Sequence, residues 1–150
     1  MALILGIETA TKNCSVALFK DGILIAEKEH NADGYTHAEQ LNLFIEEVIN
    51  SANITLKEIE AVALSMGPGS YTGLRIGAST AKGLCYALEI PLLAIFTLKA
   101  MAFGMAKKLK SELYCPMIDA RRMEVYSAVF NNKNERIRIG TKNFGCGGRI

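Results

Sequence analysis

The stretch SMGPGSYTGLRIG (65–77) carries glycines at 67, 69, 73 and 77, with Pro68 between the first two. Residues of these types suit three kinds of chemistry. A strand, a glycine turn and a helix start together can hold an anion, because free backbone N–H groups and the helix dipole point outward there. A hydroxyl in the turn, Ser70 or Thr72, can be a nucleophile, although neither has an obvious base near it in sequence and both suit an N-cap. Small residues can also let another backbone come close. The spacings of the common phosphate loops are absent. A Walker A loop needs Lys-Ser/Thr after its second glycine, whereas Gly73 is followed by Leu74-Arg75; a dinucleotide loop starting at Gly67 would need glycine where Thr72 stands. Gly67, Gly69, Ser70 and Thr72 therefore read as a helix cap or, at most, a weak anion loop.

Gly69, Gly73, Gly77, Ala81 and Cys85 recur every four residues, which puts small groups in one stripe of a helix. A glycine inside a helix costs about 1 kcal/mol against alanine. Close approach of a neighbouring backbone would offset that cost through dispersion contacts. The neighbour can be the protein's own sheet or another subunit.

Other chemistry has little support. Cys14, Cys85, Cys115 and Cys146 lie too far apart for a zinc knuckle or redox pair, and His30 and His37 match no common zinc pattern. The sequence thus nominates no catalytic, cofactor-binding or metal-binding residue. With 50% hydrophobic and 21% charged residues the chain is globular rather than disordered. Its opening lacks the pattern of a signal peptide, and its longest nearly apolar stretch, 90–98, is too short to cross a bilayer. The expectation is a cytoplasmic protein with no membrane partner. Residues 1–98 hold 6 Lys/Arg against 11 Asp/Glu, and residues 99–150 hold 11 against 4. Part of that basic excess sits in the last twenty residues, so charge alone does not argue for RNA binding.

The elements that would position the glycine stretch can be read in order. Apolar runs at 3–7, 14–19 and 23–29, with Asp21-Gly22 between the last two, predict an antiparallel meander. Asp33-Gly34 breaks the chain, Thr36 and Glu39 form a capping box, and Leu41, Phe44, Ile45, Val48 and Ile49 give a helix over 38–51. Thr55 and Glu58 form a second box. A buried strand (61–66), the glycine stretch, a helix (72–88) stopped by Pro91 and a strand (91–96) follow. Leu98, Met101, Ala102, Met105 and Leu109 share one face of a further helix; runs 112–120 and 124–130 form a hairpin with Arg121-Arg122 at its tip. The order is that of an α/β layer fold with a mixed sheet.

Four blocks, LGIETATKNCSVALFKDG (5–22), HAEQL (37–41), SMGPGSYTGLRIGASTAKGL (65–84) and PMIDARRMEVYSAVF (116–130), resemble the glycoprotease-like (Gcp-like) family, which includes the bacterial TsaB (YeaZ) proteins of tRNA threonylcarbamoyladenosine biosynthesis. The resemblance covers about residues 1–130. It implies an ASKHA (actin-like ATPase) fold whose first lobe is RNase H-like. On that basis residues 1–110 form the first lobe, 111–130 begin a truncated second lobe, and 131–150 are a disordered or non-native tail. It also implies a non-catalytic role in threonylcarbamoylating the tRNA adenosine beside the anticodon. The catalytic paralogue TsaD would be the partner, the ATPase TsaE a third member, and tRNA would be reached through the complex. The family dimerises through its first-lobe helices, with the paralogue or with itself, which assigns the partner surface to Leu41, Ile45, Gly73, Leu74, Gly77, Ala78 and Ala81. No cofactor is expected, unless ATP or ADP sits at the partner interface.

Two departures separate this chain from the catalytic paralogue. Thr97 and Met101 stand where that family's metal-binding His-x-x-x-His would fall, and the turn at 119–124, DARRME, has no glycine for a second phosphate loop. Three rival readings remain. One is an ASKHA-type ATP-binding enzyme with Glu8 on a Mg²⁺-bound water; the others are a metallopeptidase and a purely structural RNase H-like module.

Overall fold

Alternation at period two builds the first strands. β1 (Leu3–Glu8) buries Leu3, Leu5 and Ile7, and β2 (Asn13–Lys20) buries Cys14, Val16 and Leu18, their intervening residues being half-buried. Asp21 and Gly22 take φ of 51° and 81°, the paired positive values of a primed hairpin turn, and lead into β3 (Ile23–Asn31). The structure, a computed structural model, describes residues 2–31 and 37–141. The Asp33-Gly34 break and the Thr36–Glu39 box lie outside the described residues.

After α1 (His37–Ser51) comes a short 3-10 turn, Leu56–Glu58, where the second capping box forms: Glu58 Oε2 accepts from the Thr55 N–H (2.7 Å) and the Thr55 hydroxyl (2.9 Å). β4 (Ala61–Ser65), α2 (Tyr71–Leu88) and β5 (Leu92–Ile95) complete the first unit. α2 ends on Glu89 in the left-handed region (φ 56°), whose N–H returns to the Cys85 carbonyl just before Pro91. The sheet order is β3-β2-β1-β4-β5, antiparallel across β1–β3 and parallel from β1 to β4 to β5. This is the RNase H-like layer expected of an ASKHA lobe. The two helices pack side by side against the sheet, closing a core of Leu5, Val16, Leu18 and Val62 with Leu41, Ile45 and Val48 of α1 and Ala81 of α2. Burying one such side chain contributes about 1.5–3 kcal/mol.

The second unit consists of Gly67–Gly69 and the chain from Phe96 onward. α3 (Thr97–Lys108) buries Leu98 and Ala102 among Tyr114, Ile118, Ala128 and Phe130 of β6 (Leu113–Tyr114), β7 (Met117–Arg121) and β8 (Glu124–Asn131). The division of these units falls after Ile95, where the apolar face of α3 is matched by β8, whereas the expected lobe boundary is residue 110. The strand read over 112–120 is interrupted at Cys115-Pro116, where proline has no N–H to give, yet β6 and β7 keep one register on β8. The first part of the segment expected to be a tail, residues 131–141, has regular structure. Asn131 Oδ1 accepts from the N–H groups of Lys133 (3.0 Å) and Glu135 (2.9 Å), Asn134 takes φ of 58°, and the chain returns as β9 (Arg136–Thr141) against β8. Residues 142–150, with Cys146, lie outside the described residues.

Candidate functional site

The glycine stretch begins where β4 ends. The Met66 N–H donates to the Ile95 carbonyl at 2.8 Å and closes the β4–β5 pair. Gly67 follows with φ of 109°, a conformation open to glycine and not to residues with a Cβ, and its carbonyl accepts from the Thr97 N–H at 2.9 Å. The Ser70 N–H donates to the Ala10 carbonyl at 2.6 Å in the β1–β2 turn. Ser70 is the N-cap of α2, with its Oγ accepting from the Gly73 N–H at 3.3 Å and its carbonyl taking the first helical bond, from Leu74. The amides of 66, 70 and 73 are therefore used within the fold. Tyr71 and Thr72 are the first-turn amides left over.

Glu8, at the end of β1, ties the same corner together. Its Oε1 accepts from the Ala10 N–H (2.7 Å) and its Oε2 accepts from the Ser65 hydroxyl. Both carboxylate oxygens thus hold the turn and β4, which is a structural use of the group the ATPase reading would give to a hydrated Mg²⁺.

Beside Glu8, Thr9 is wholly buried and its Oγ1 has no hydrogen-bond partner. It occupies the space that Gly77 leaves. A Cβ at position 77 would overlap Thr9 Oγ1 and lie 3.1 Å from Leu64 Cδ1. At Gly77 the small stripe thus makes room for side chains of the chain's own first unit, Thr9 and Leu64. Gly73, Gly77, Ala81 and Cys85 are the buried residues of α2, and Leu41 and Ile45 are buried in α1. Of the seven residues assigned to a partner surface, Leu41, Ile45, Gly73, Gly77 and Ala81 are inside this core, and only Leu74 and Ala78 are half-exposed. The physical reason is that period-four smallness marks a close approach without saying to what.

The outward face of α2 instead carries Tyr71, Arg75, Ser79, Lys82 and Tyr86. Tyr86 is 89% exposed and Tyr71 is 70% exposed, with the Arg75 guanidinium 4.5 Å above the Tyr71 ring. On the adjacent α1, Leu43 is exposed. The sequence reading missed these residues. The signal was present as large aromatics out of phase with the small stripe.

In the second unit Thr97 opens α3 and is buried, its Oγ1 also without a partner, while Met101 is exposed. The turn 121–123 places three successive non-glycine residues, Arg121, Arg122 and Met123, in the left-handed region (φ 67°, 55° and 63°). Asp119 Oδ1 accepts from the Arg121 N–H at 2.7 Å and holds that turn. Burial pushes the Cys14 thiol up, and pushes up Cys85 against a bond with the Val62 backbone, so both are inert thiols at neutral pH. Among the described residues no cluster of three His, Cys, Asp or Glu could hold a metal, and no helix is long and apolar enough to cross a membrane.

Residues 28–144 match the family described as TsaD: tRNA N6-adenosine threonylcarbamoyltransferase. The tRNA threonylcarbamoyladenosine biosynthesis protein TsaB of Escherichia coli is 37% identical over 137 residues, covering 91% of this chain and 58% of that protein. A tRNA N6-adenosine threonylcarbamoyltransferase of Bacillus thuringiensis is 31% identical over 131 residues, 77% of this chain and 38% of that protein. The solved structure of YeaZ from Pseudomonas aeruginosa superposes with a TM-score of 0.82 at 30% identity, over 94% of this chain and 65% of that one. The chain spans 51% to 66% of the length of the TsaB relatives it matches.

Proposed function

This chain belongs to the tRNA N6-adenosine threonylcarbamoyltransferase family, and from that premise we propose that it is a TsaB-type accessory subunit in threonylcarbamoylation of the tRNA adenosine beside the anticodon. It acts in the cytoplasm by binding a TsaD-like catalytic paralogue, with a TsaE-like ATPase as third member, and meets tRNA through that complex. The observation that carries the reading is how the glycine stretch uses its donors. A phosphate cradle depends on several free amides converging on the anion. Here those of Met66, Ser70 and Gly73 are bonded within the chain, which leaves the Tyr71 and Thr72 amides of the helix start, and the Glu8 carboxylate is bonded on both oxygens. An ATPase-like corner built this way supports a scaffold rather than a transferase.

The docking face is the outward side of α1 and α2: Leu43, Tyr71, Leu74, Arg75, Ala78 and Tyr86. Exposed Tyr and Arg are the residue types that dominate interface energies. Light scattering of the chain mixed with its TsaD-like partner tests the proposal, with reconstituted tRNA threonylcarbamoylation beside it. The wild type should form a complex and be required for turnover. A Tyr86→Glu variant of unchanged circular dichroism should lose both. Threonylcarbamoyl transfer by this chain without the paralogue would end the accessory reading, and full binding by Tyr86→Glu would move the face elsewhere.

A further inference from the structure

α3 and the residues just after it concentrate positive charge. No acidic residue occurs between Thr97 and Ser111, and Lys99, Lys107, Lys108 and Lys110 fall within that span. None of these lysines joins an ion pair among the described residues. Leu98 and Ala102 turn one side of α3 into the core, while Lys99, Phe103 and Lys107 follow one another at spacing four as an exposed stripe on another side. Phe103 is 49% exposed, with the Lys107 ammonium 4.5 Å from its ring centre. Ala100 and Gly104 beside it are small and exposed, and a Cβ added at Gly104 meets nothing within 4 Å. The surface next to the ring is therefore open.

Lysines alone attract any polyanion. An exposed aromatic ring between two of them is more selective, because it suits a partner that carries planar bases as well as phosphates. Lys99 and Lys107 are about 12 Å apart along the axis, at about 1.5 Å per residue, with Phe103 midway. We infer that this stripe holds a single-stranded stretch of RNA, a base stacking on Phe103 while the flanking phosphates meet Lys99 and Lys107. An exposed cation–ring contact is weaker than base stacking, so Lys107 can leave the ring for a phosphate and yield the ring to a base. A duplex keeps its bases stacked on one another and gains nothing from the ring. The choice of tRNA as the RNA rests on the accessory reading. What is added is that this chain takes hold of RNA directly, through α3 rather than through the α1 and α2 face assigned to the catalytic paralogue.

Fluorescence anisotropy of the full chain, without the paralogue, tests this with a labelled oligouridine, a duplex RNA of the same length and an unmodified tRNA transcript. At about 50 mM salt the oligouridine and the transcript should bind with Kd of about 1–100 µM. Lys99→Gln and Lys107→Gln, each of unchanged circular dichroism, should each reduce the log–log salt slope for the oligouridine by about 0.7, the loss of one single-strand phosphate contact. Phe103→Ala should weaken oligouridine binding about five- to tenfold with the slope unchanged, and Phe103→Tyr should keep it. Lys57→Gln removes an equal charge from the first unit and should bind as the wild type does. The α3 variants should still form the complex with the TsaD-like partner in light scattering, and Tyr86→Glu should still bind the oligouridine, so the two readings fail separately. No binding at about 100 µM protein would overturn the inference. So would duplex RNA or polyglutamate bound as tightly as the oligouridine, or Phe103→Ala within about twofold of the wild type.

Discussion

Glycines 77 and 83 lie in the same helix and should respond to alanine in opposite directions. A Cβ at Gly83 meets nothing within 4 Å. Gly83→Ala should therefore show only the helix-propensity gain, about 1 kcal/mol. At Gly77 the same gain applies, but the new methyl overlaps Thr9 Oγ1 and crowds Leu64 at 3.1 Å. Overpacking of this kind costs about 1–3 kcal/mol. Gly77→Ala should thus fall between neutral and about 2 kcal/mol destabilised, leaving the two sites about 1–3 kcal/mol apart. Thr9→Ala removes the overlapping hydroxyl, and in that background Gly77→Ala should recover most of the propensity gain. The coupling in the four-protein cycle is then of the same size as the overlap, about 1–3 kcal/mol. Urea unfolding followed by far-ultraviolet circular dichroism reads each value, with the slope unchanged if only stability moves. The reasoning is refuted if Gly77→Ala stabilises as Gly83→Ala does, or if its cost persists without the Thr9 hydroxyl.

Glu58 should give the capping box an acid limit. The bond from the Thr55 backbone N–H, followed by the bond from its hydroxyl, holds the Glu58 carboxyl below its ordinary range. A folded value below the unfolded one means that the contribution is complete above the unfolded value and is lost as pH falls through the folded value. Glu58→Gln should therefore flatten the melting temperature's dependence on pH between about 5 and 3, and parallel curves for the two proteins would argue against it. Met123→Gly should raise stability by about 0.5–1 kcal/mol, the relief of a left-handed residue less the added entropy of the unfolded chain. A lower melting temperature would mean that the exposed Met123 side chain stabilises the turn more than its backbone strains it.

Much of the fold was legible because local patterns and tertiary packing agree. Asp21-Gly22 marks a turn whose conformation needs those residue types, Thr55 and Glu58 form their box, and the period of α1 matches its buried side. The part that failed depends on which surfaces meet. Nothing in the segment ETATKN says that its first threonine will be buried, or that Gly77 will be the residue that makes room for it. The stripe on α2 was visible, while its neighbour was not. β9 was missed because Arg and Ile alternate in a segment too polar to read as core, and it forms through Asn131 and pairing with β8. The membership of α3 was hidden for a similar reason: an amphipathic helix shows that it has an apolar side without naming the sheet that takes it.

The parallel pairing of β1 with β4 also sets an order of events at the ribosome. Ile4 must find Ala61, and Ile7 must find Leu64, across 57 residues of chain. At about 5–20 residues per second, β1 emerges roughly 3–11 s before its partner. In that interval β2 can occupy one edge of β1 through a local hairpin, and α1 can cover part of the apolar face soon afterwards. The other edge of β1 stays open until Ala61–Ser65 appears. The nascent protein therefore passes through a stage in which its first-made strand is half a template. Anything that slows translation between residues 31 and 61 lengthens the time during which another chain could pair there.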